Sequence, residues 1–173
     1  FDYPWKADWH RYCYYYYMPE NKYVPGLNWT HGRGVFPTTE AYNITGDNKY
    51  LKSAQKAARY LMALQPMDPY YETTYGVFRE EIPQASVGGI LDGAQAASGM
   101  LMLYSVTGKH DYLRRGKAFC DFILRSWRRD TGMPTLCKFY PEKIKYQDVP
   151  PSGTIHQASA IPLWHLMRIT GDG

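Results

Sequence analysis

The sequence predicts an all-helical protein, built as helical hairpins in a curved double layer that forms an (α/α) toroid where it closes. One tight turn recurs, as "NITGDNKYLKSAQ" at residues 43–55, "SVTGKHDYLRRGK" at 105–117 and "RITGDG" at 168–173. Its spacing is nearly constant, 62 residues from Thr45 to Thr107 and 63 from Thr107 to Thr170. Helices of two kinds flank it, apolar all round before the turn and amphipathic after it.

The turn itself explains the junction. Gly46, Gly108 and Gly171 fall where a helix ends in a left-handed residue, a conformation that penalises any Cβ, and Asp47 or Asn48 can then cap the following helix. After the first turn Tyr50, Leu51, Ala54, Ala57, Ala58 and Leu61 recur at helical spacing, opposite Lys52, Lys56 and Arg59. The second copy repeats this, with Tyr112, Leu113, Phe119, Phe122 and Ile123 opposite Arg114, Arg115, Lys117 and Arg125. Such helices have one wet face. By contrast "ILDGAQAASGMLMLYSV" (90–106) and "ASAIPLWHLMRI" (158–169) are apolar or small around the whole circumference and need cover on all sides. The first helix of each hairpin is therefore inner and the second outer. Inner helices are expected near 35–45, 90–106 and 155–169, and outer helices near 49–65 and 110–127. Residues 1–30 read as an aromatic-rich segment in which Tyr14 to Tyr17 would be extended. Residues 31–173 read as two and a half hairpins of such a toroid, expected to continue past Gly173.

Composition narrows the partners. With 173 residues and 45% hydrophobic content, the chain can bury a core of its own. No apolar run approaches the ~18 residues of a membrane span, and the first residues lack the order of a signal peptide, so an export leader is absent or already removed. The net charge of +4 is spread along amphipathic segments, which argues against nucleic acid and leaves acidic glycans compatible. Cys13, Cys120 and Cys137 have no metal-ligand spacing, and neither a metal nor another cofactor is expected. Aromatic side chains make up 16% of the chain, suited to cores and to stacking on sugars. "NWT" at Asn28 and "NIT" at Asn43 match the glycosylation acceptor pattern, which is frequent by chance.

Carried upstream, the offsets align His31, Gly93 and His156, with Asp92 one residue before the middle member, and also Pro37, Gly99 and Pro162. Proline is easily housed in a first helical turn, so each inner helix should begin or kink near it. The His and Asp side chains would then stand near parallel helix N-termini and converge on one mouth, where the helix dipoles favour anions. One residue along a helix turns a side chain by ~100°, so Asp92 faces either that cavity or a neighbouring helix.

With an inner helix, a T-G-D/K turn and an outer helix opening on Tyr-Leu, the chain resembles the six-hairpin glycosidase-like superfamily. Its (α/α)6 toroids include unsaturated glucuronyl and rhamnogalacturonyl hydrolases. The stretch "DGAQAASGMLMLYSVTGKHDYL" (92–113) is also similar to the helical domain of glucuronyl C5-epimerases. The resemblance covers most of residues 30–173 and implies an incomplete (α/α)6 barrel, a carbohydrate substrate of a class that includes uronic-acid-containing oligosaccharides, and a catalytic role for Asp92.

Glycoside hydrolysis ordinarily needs two carboxyl groups. "FREEIPQ" (78–84), in the loop leading to the same mouth, offers Glu80 or Glu81 beside Arg79. His31 and His156 are candidates to hold substrate or shuttle a proton. Trp29 and Arg33 would supply a stacking ring and a carboxylate fork, and Tyr70, Tyr71 and Tyr75 a rim. A glycoside hydrolase is the leading expectation. A polysaccharide lyase or uronate epimerase is the alternative within enzymes, and a non-catalytic glycan- or peptide-binding repeat protein the alternative outside them.

Overall fold

The computed structural model describes residues 13–25, 28–71, 74–80, 82–83, 85, 87–129, 133–134, 136–140, 143–147 and 153–171. Its helices are α1 (Asn28–Thr45), α2 (Asn48–Leu64), α3 (Ile90–Thr107), α4 (His110–Arg125) and α5 (Gly153–Thr170). The first, third and fifth each span 18 residues and begin and end in the same 62- and 63-residue register as the turn.

The turns have one geometry. Gly46, Gly108 and Gly171 take φ of +69°, +65° and +76°, and their N–H groups donate to Tyr42, Tyr104 and Met167 O, each at 2.8 Å. The preceding threonines fold back on their own helices, Thr45 Oγ1 donating to Ala41 O and Thr107 Oγ1 to Leu103 O at 2.6 Å. The Asp47 carboxylate caps α2 by accepting from Lys49 N–H at 2.9 Å, whereas Lys109, in the equivalent place, supplies no side-chain cap. A Cβ at Gly108 would meet nothing within 4 Å, so Gly108→Ala isolates the backbone cost of the left-handed residue. We expect a loss of about 1 kcal/mol in denaturant unfolding.

Helices α1, α3 and α5 lie side by side in that order, with α2 packed behind α1 and α4 behind α3. The middle one, α3, buries ten of its 18 residues, as a helix covered on both faces must. α1 and α3 approach through glycine: a Cβ at Gly32 would stand 2.7 Å from Ala96 N, and one at Gly99 would stand 2.9 Å from Val35 Cγ1. Tyr60, Leu61, Leu64, Phe119, Phe122 and Ile123 of the outer helices complete one core with α3 and Phe78. On α5, Ile161, Trp164 and Met167 remain exposed.

Two expectations are corrected. α1 begins at Asn28 and not near residue 35, and Pro37 and Pro162 lie inside their helices and not at their starts. Arg33, whose carbonyl loses its donor to Pro37, is exposed like Pro37 itself, so no orphan is left in the core. Short strands also occur, of which the sequence anticipates only the extended tyrosine run at residues 14–17. β1 (Cys13–Tyr17), which holds the tyrosine run, pairs antiparallel with β2 (Lys22–Pro25). β3 (Val87–Gly88) joins β6 (Leu136–Tyr140) and β7 (Lys143–Gln147), while β4 (Trp127–Arg128) pairs with β5 (Met133–Pro134).

Candidate active site

The centre forms at the N-terminal end of α3. After Gly76, at φ +88°, the chain buries Phe78 against Phe119 with ring centroids 5.6 Å apart. Arg79 N–H then donates to Leu64 O and Glu80 N–H to Val87 O, both at 2.9 Å, so the ends of the 80–87 loop are pinned together. Arg79 turns away from the carboxylates and donates through Nη1 to Pro83 O at 2.7 Å. Glu80 is thereby laid over Gly89, the residue that enters α3, and Asp92 rises from the first turn of that helix. A Cβ at Gly89 would lie 3.4 Å from Glu80 Oε1 and 3.5 Å from Asp92 Oδ2, so both carboxyl groups sit over one glycine.

The two carboxyl groups behave as a unit. Burial, then the charge of Asp92, pushes Glu80 up to about 8, against the Gly89 N–H that favours its anion. Burial also raises Asp92, but the hydrogen bond from Glu80 and the charge of Arg33 both favour its ionised form. Burial thus pushes both groups toward the protonated form, with Glu80 the donor and Asp92 the acceptor of the hydrogen bond between them.

Arg33 links this pair to a groove. Its Nε donates to Gln95 Oε1 at 3.0 Å, and its guanidinium carbon lies 5.2 Å from the centroid of the Trp29 ring. Beyond them a cavity of about 280 Å³ opens between α1, α3 and α5, lined by Arg33, Phe36, Gln95, Ser98, Ala158 and Ile161 among others. A charged fork, an amide and an aromatic face beside an apolar floor can hold a ring that bears hydroxyl groups.

Of the residues expected from sequence, Asp92, Glu80, Arg33 and Trp29 come together here. His31 does not. It is fully buried, its ring 4.5 Å from that of Tyr60 on α2, so it lies between inner and outer layers and not in a shared cavity with Asp92. The equivalent Gly93 has the same outlook, since a Cβ there would run into the Phe119 ring. Tyr70 is exposed in a 3-10 turn (Pro69–Tyr71), and the Tyr75 backbone accepts from Arg125 Nη2 on the outer helix α4 at 2.9 Å. Glu81 and the side chains of Tyr71 and His156 lie outside the described residues.

Two neighbours were missed. Gln95 sits one repeat after Arg33, and the equal register was the available signal. Asn28, which reads from the sequence only as a glycosylation acceptor, is fully buried. Its amide favours the ionised form of Glu80, while Nδ2 and Oδ1 make no hydrogen bond of good geometry. Asn43, the other acceptor, is exposed. The Cys120 thiol is buried and pushed up to about 12, and so is held protonated. Among the described residues no cluster of three or more His, Cys, Asp or Glu could hold a metal, and no helix is long and apolar enough to cross a membrane.

No protein-family model and no curated protein matches the sequence. Solved structures do match. Over 84% of the chain it superposes on cellobiose 2-epimerase from Bacillus thermoamylovorans, with a TM-score of 0.69 and 17% identity. The fold is that of the six-hairpin (α/α) toroids. Cellobiose 2-epimerase from Spirochaeta thermophila is similar over 86% of the chain (TM-score 0.67, 16% identity). A glycoside hydrolase family 76 mannosidase from Bacteroides thetaiotaomicron is similar over 82% (TM-score 0.59, 17% identity). The chain spans 40%, 41% and 38% of the lengths of these three proteins.

Proposed function

We propose that this chain carries the acid–base centre of a carbohydrate-active enzyme, and that the reaction is glycosidic hydrolysis with Glu80 as proton donor. The observation that supports this reading is the Glu80–Asp92 pair, a proton held at neutral pH beside a groove suited to a sugar. A substrate ring stacks on Trp29 and offers hydroxyl groups to Arg33 and Gln95. Glu80 gives its proton to the departing glycosidic oxygen, and its new anion is met by the Gly89 N–H and the Asn28 amide. Asp92, ionised and steadied by Arg33, faces the positive charge that develops on the sugar, and water then adds to the anomeric carbon while its proton returns to the Glu80 carboxylate.

A second reading is sugar epimerisation, in which ionised Asp92 removes a carbon-bound proton and Glu80 serves as the acid. It is favoured by the contact between the two carboxyl groups, closer than the roughly 5 to 9.5 Å at which hydrolase pairs stand. Two of the structural neighbours are named as cellobiose 2-epimerases. Incubation with β-linked and α-linked disaccharides separates the two readings, since hydrolysis releases monosaccharides and epimerisation yields an isomeric disaccharide. In either case Asp92→Asn should lower turnover about 10²- to 10⁴-fold with little change in melting temperature. Undiminished turnover would remove Asp92 from the reaction.

A further inference from the structure

The outer helices α2 and α4 are one repeat apart and carry their surface charge differently. On α4 three of the four Lys and Arg side chains have an acidic partner: Arg115 Nε lies 3.0 Å from Asp111 Oδ2, Arg114 holds Oδ1 of the same carboxylate, and Lys117 Nζ lies 3.0 Å from Asp121 Oδ2. On α2 there is no acidic residue in 17, and only Lys49 is paired, with Asp47 at 2.8 Å. Lys52, Lys56 and Arg59 stand exposed on one face without an ion pair among the described residues, and with Gln55 they line a cleft of about 220 Å³. Lys52 and Lys56 are four residues apart and Lys56 and Arg59 three, spacings at which like charges repel along a helix. The stripe therefore costs α2 stability unless an anion lies across it.

We propose that this cleft on α2 binds an anionic polysaccharide, at a site separate from the acid–base centre. The three cations span about 10 Å of helix, at 1.5 Å per residue, and would track a strand of regularly spaced acidic groups. No exposed aromatic side chain interleaves the stripe, as stacking of nucleic acid bases would want. The apolar face of α2 is buried against the core, which leaves nothing to insert into a lipid surface. The anionic nature of the ligand rests on the cleft alone; its being a polysaccharide rests on the carbohydrate-active reading above.

The test compares carboxymethyl-dextran with neutral dextran of the same length. The protein should bind the first, more weakly as salt rises, and not the second. The triple variant Lys52→Glu, Lys56→Glu, Arg59→Glu should lose roughly tenfold or more of that affinity, because each exposed cation near an anionic surface contributes appreciably. The same reversal at Arg114 and Lys117 on α4 should leave affinity within about twofold, a band set by its being a small part of that loss. Glu80→Gln should bind carboxymethyl-dextran normally while losing turnover, so failure of the centre and failure of the cleft are read separately. Equal binding by the triple variant and the parent would overturn the proposal, as would equal loss in the α4 variant. Tighter binding of a DNA duplex or of anionic lipid vesicles, lost in the triple variant, would overturn it in favour of those partners.

Discussion

Glu80→Gln should abolish turnover across the pH range and at the same time make the fold more stable in alkali. Glutamine keeps the shape and can donate to Asp92, but it has no proton to give, so the loss should reach about 10²- to 10⁴-fold. In the parent protein activity should fall as pH rises through about 8, where Glu80 loses its proton. The stability effect follows from the same shift. The folded carboxyl is raised from an ordinary 4.5 to about 8, so between those values the folded chain holds a proton that the unfolded chain has released. Raising pH through that window therefore destabilises the parent, by a few kcal/mol once it is complete above about pH 8. Glutamine removes this dependence. Melting temperatures at pH 6 and pH 9 should diverge in the parent and converge in the variant. A parent curve flat between those values would show that Glu80 is not a buried acid.

Gly32→Val should be among the most damaging single substitutions to the fold. The new Cβ would stand 2.7 Å from Ala96 N and 3.0 Å from Gln95 Cβ, and backbone cannot step aside as a side-chain tip can. α1 and α3 would have to separate, at a cost of about 3 kcal/mol or more. Separation would also pull Arg33 from Gln95 and from Asp92, so activity should fall even where the variant remains folded. Gly99→Ala faces the Val35 side chain and should cost less. Urea unfolding of the two variants would check the order, and a Gly32→Val midpoint equal to that of the parent would contradict it.

The hairpins were legible because each part of the turn has a local cause. A left-handed glycine, a threonine folded onto its own helix and a following aromatic-leucine pair require nothing distant. The start of α1 was not legible, because Pro37 reads locally as a first-turn residue and only the open groove beside it tolerates it inside a helix. Glu80 and Asp92 were each identifiable as carboxylates. Their meeting was not, since it depends on the loop pinned by Glu80 N–H to Val87 O and on Gly89 leaving room beneath them. His31 was misplaced because equal register preserves direction, not chemistry. Gly93 in the same register was the warning, for a position that must be empty in one hairpin faces a neighbour and not solvent.

The two ends of the hairpins are joined unequally. At one end two residues, 46–47 and 108–109, close each pair, through a left-handed glycine whose N–H donates back to the preceding helix. At the other, the stretches 65–89 and 126–152 run between helices and one of them delivers Glu80. Mutation therefore meets two regimes in a single molecule. Insertions at the short end would break the register between the helices they join, while the long stretches can change in length and sequence outside the buried Val77 and Phe78 and the pinned Glu80 with the helical frame unchanged. New substrate preferences can arise there without refolding the protein, so descendants of this chain should diverge first in those stretches and last in the turns.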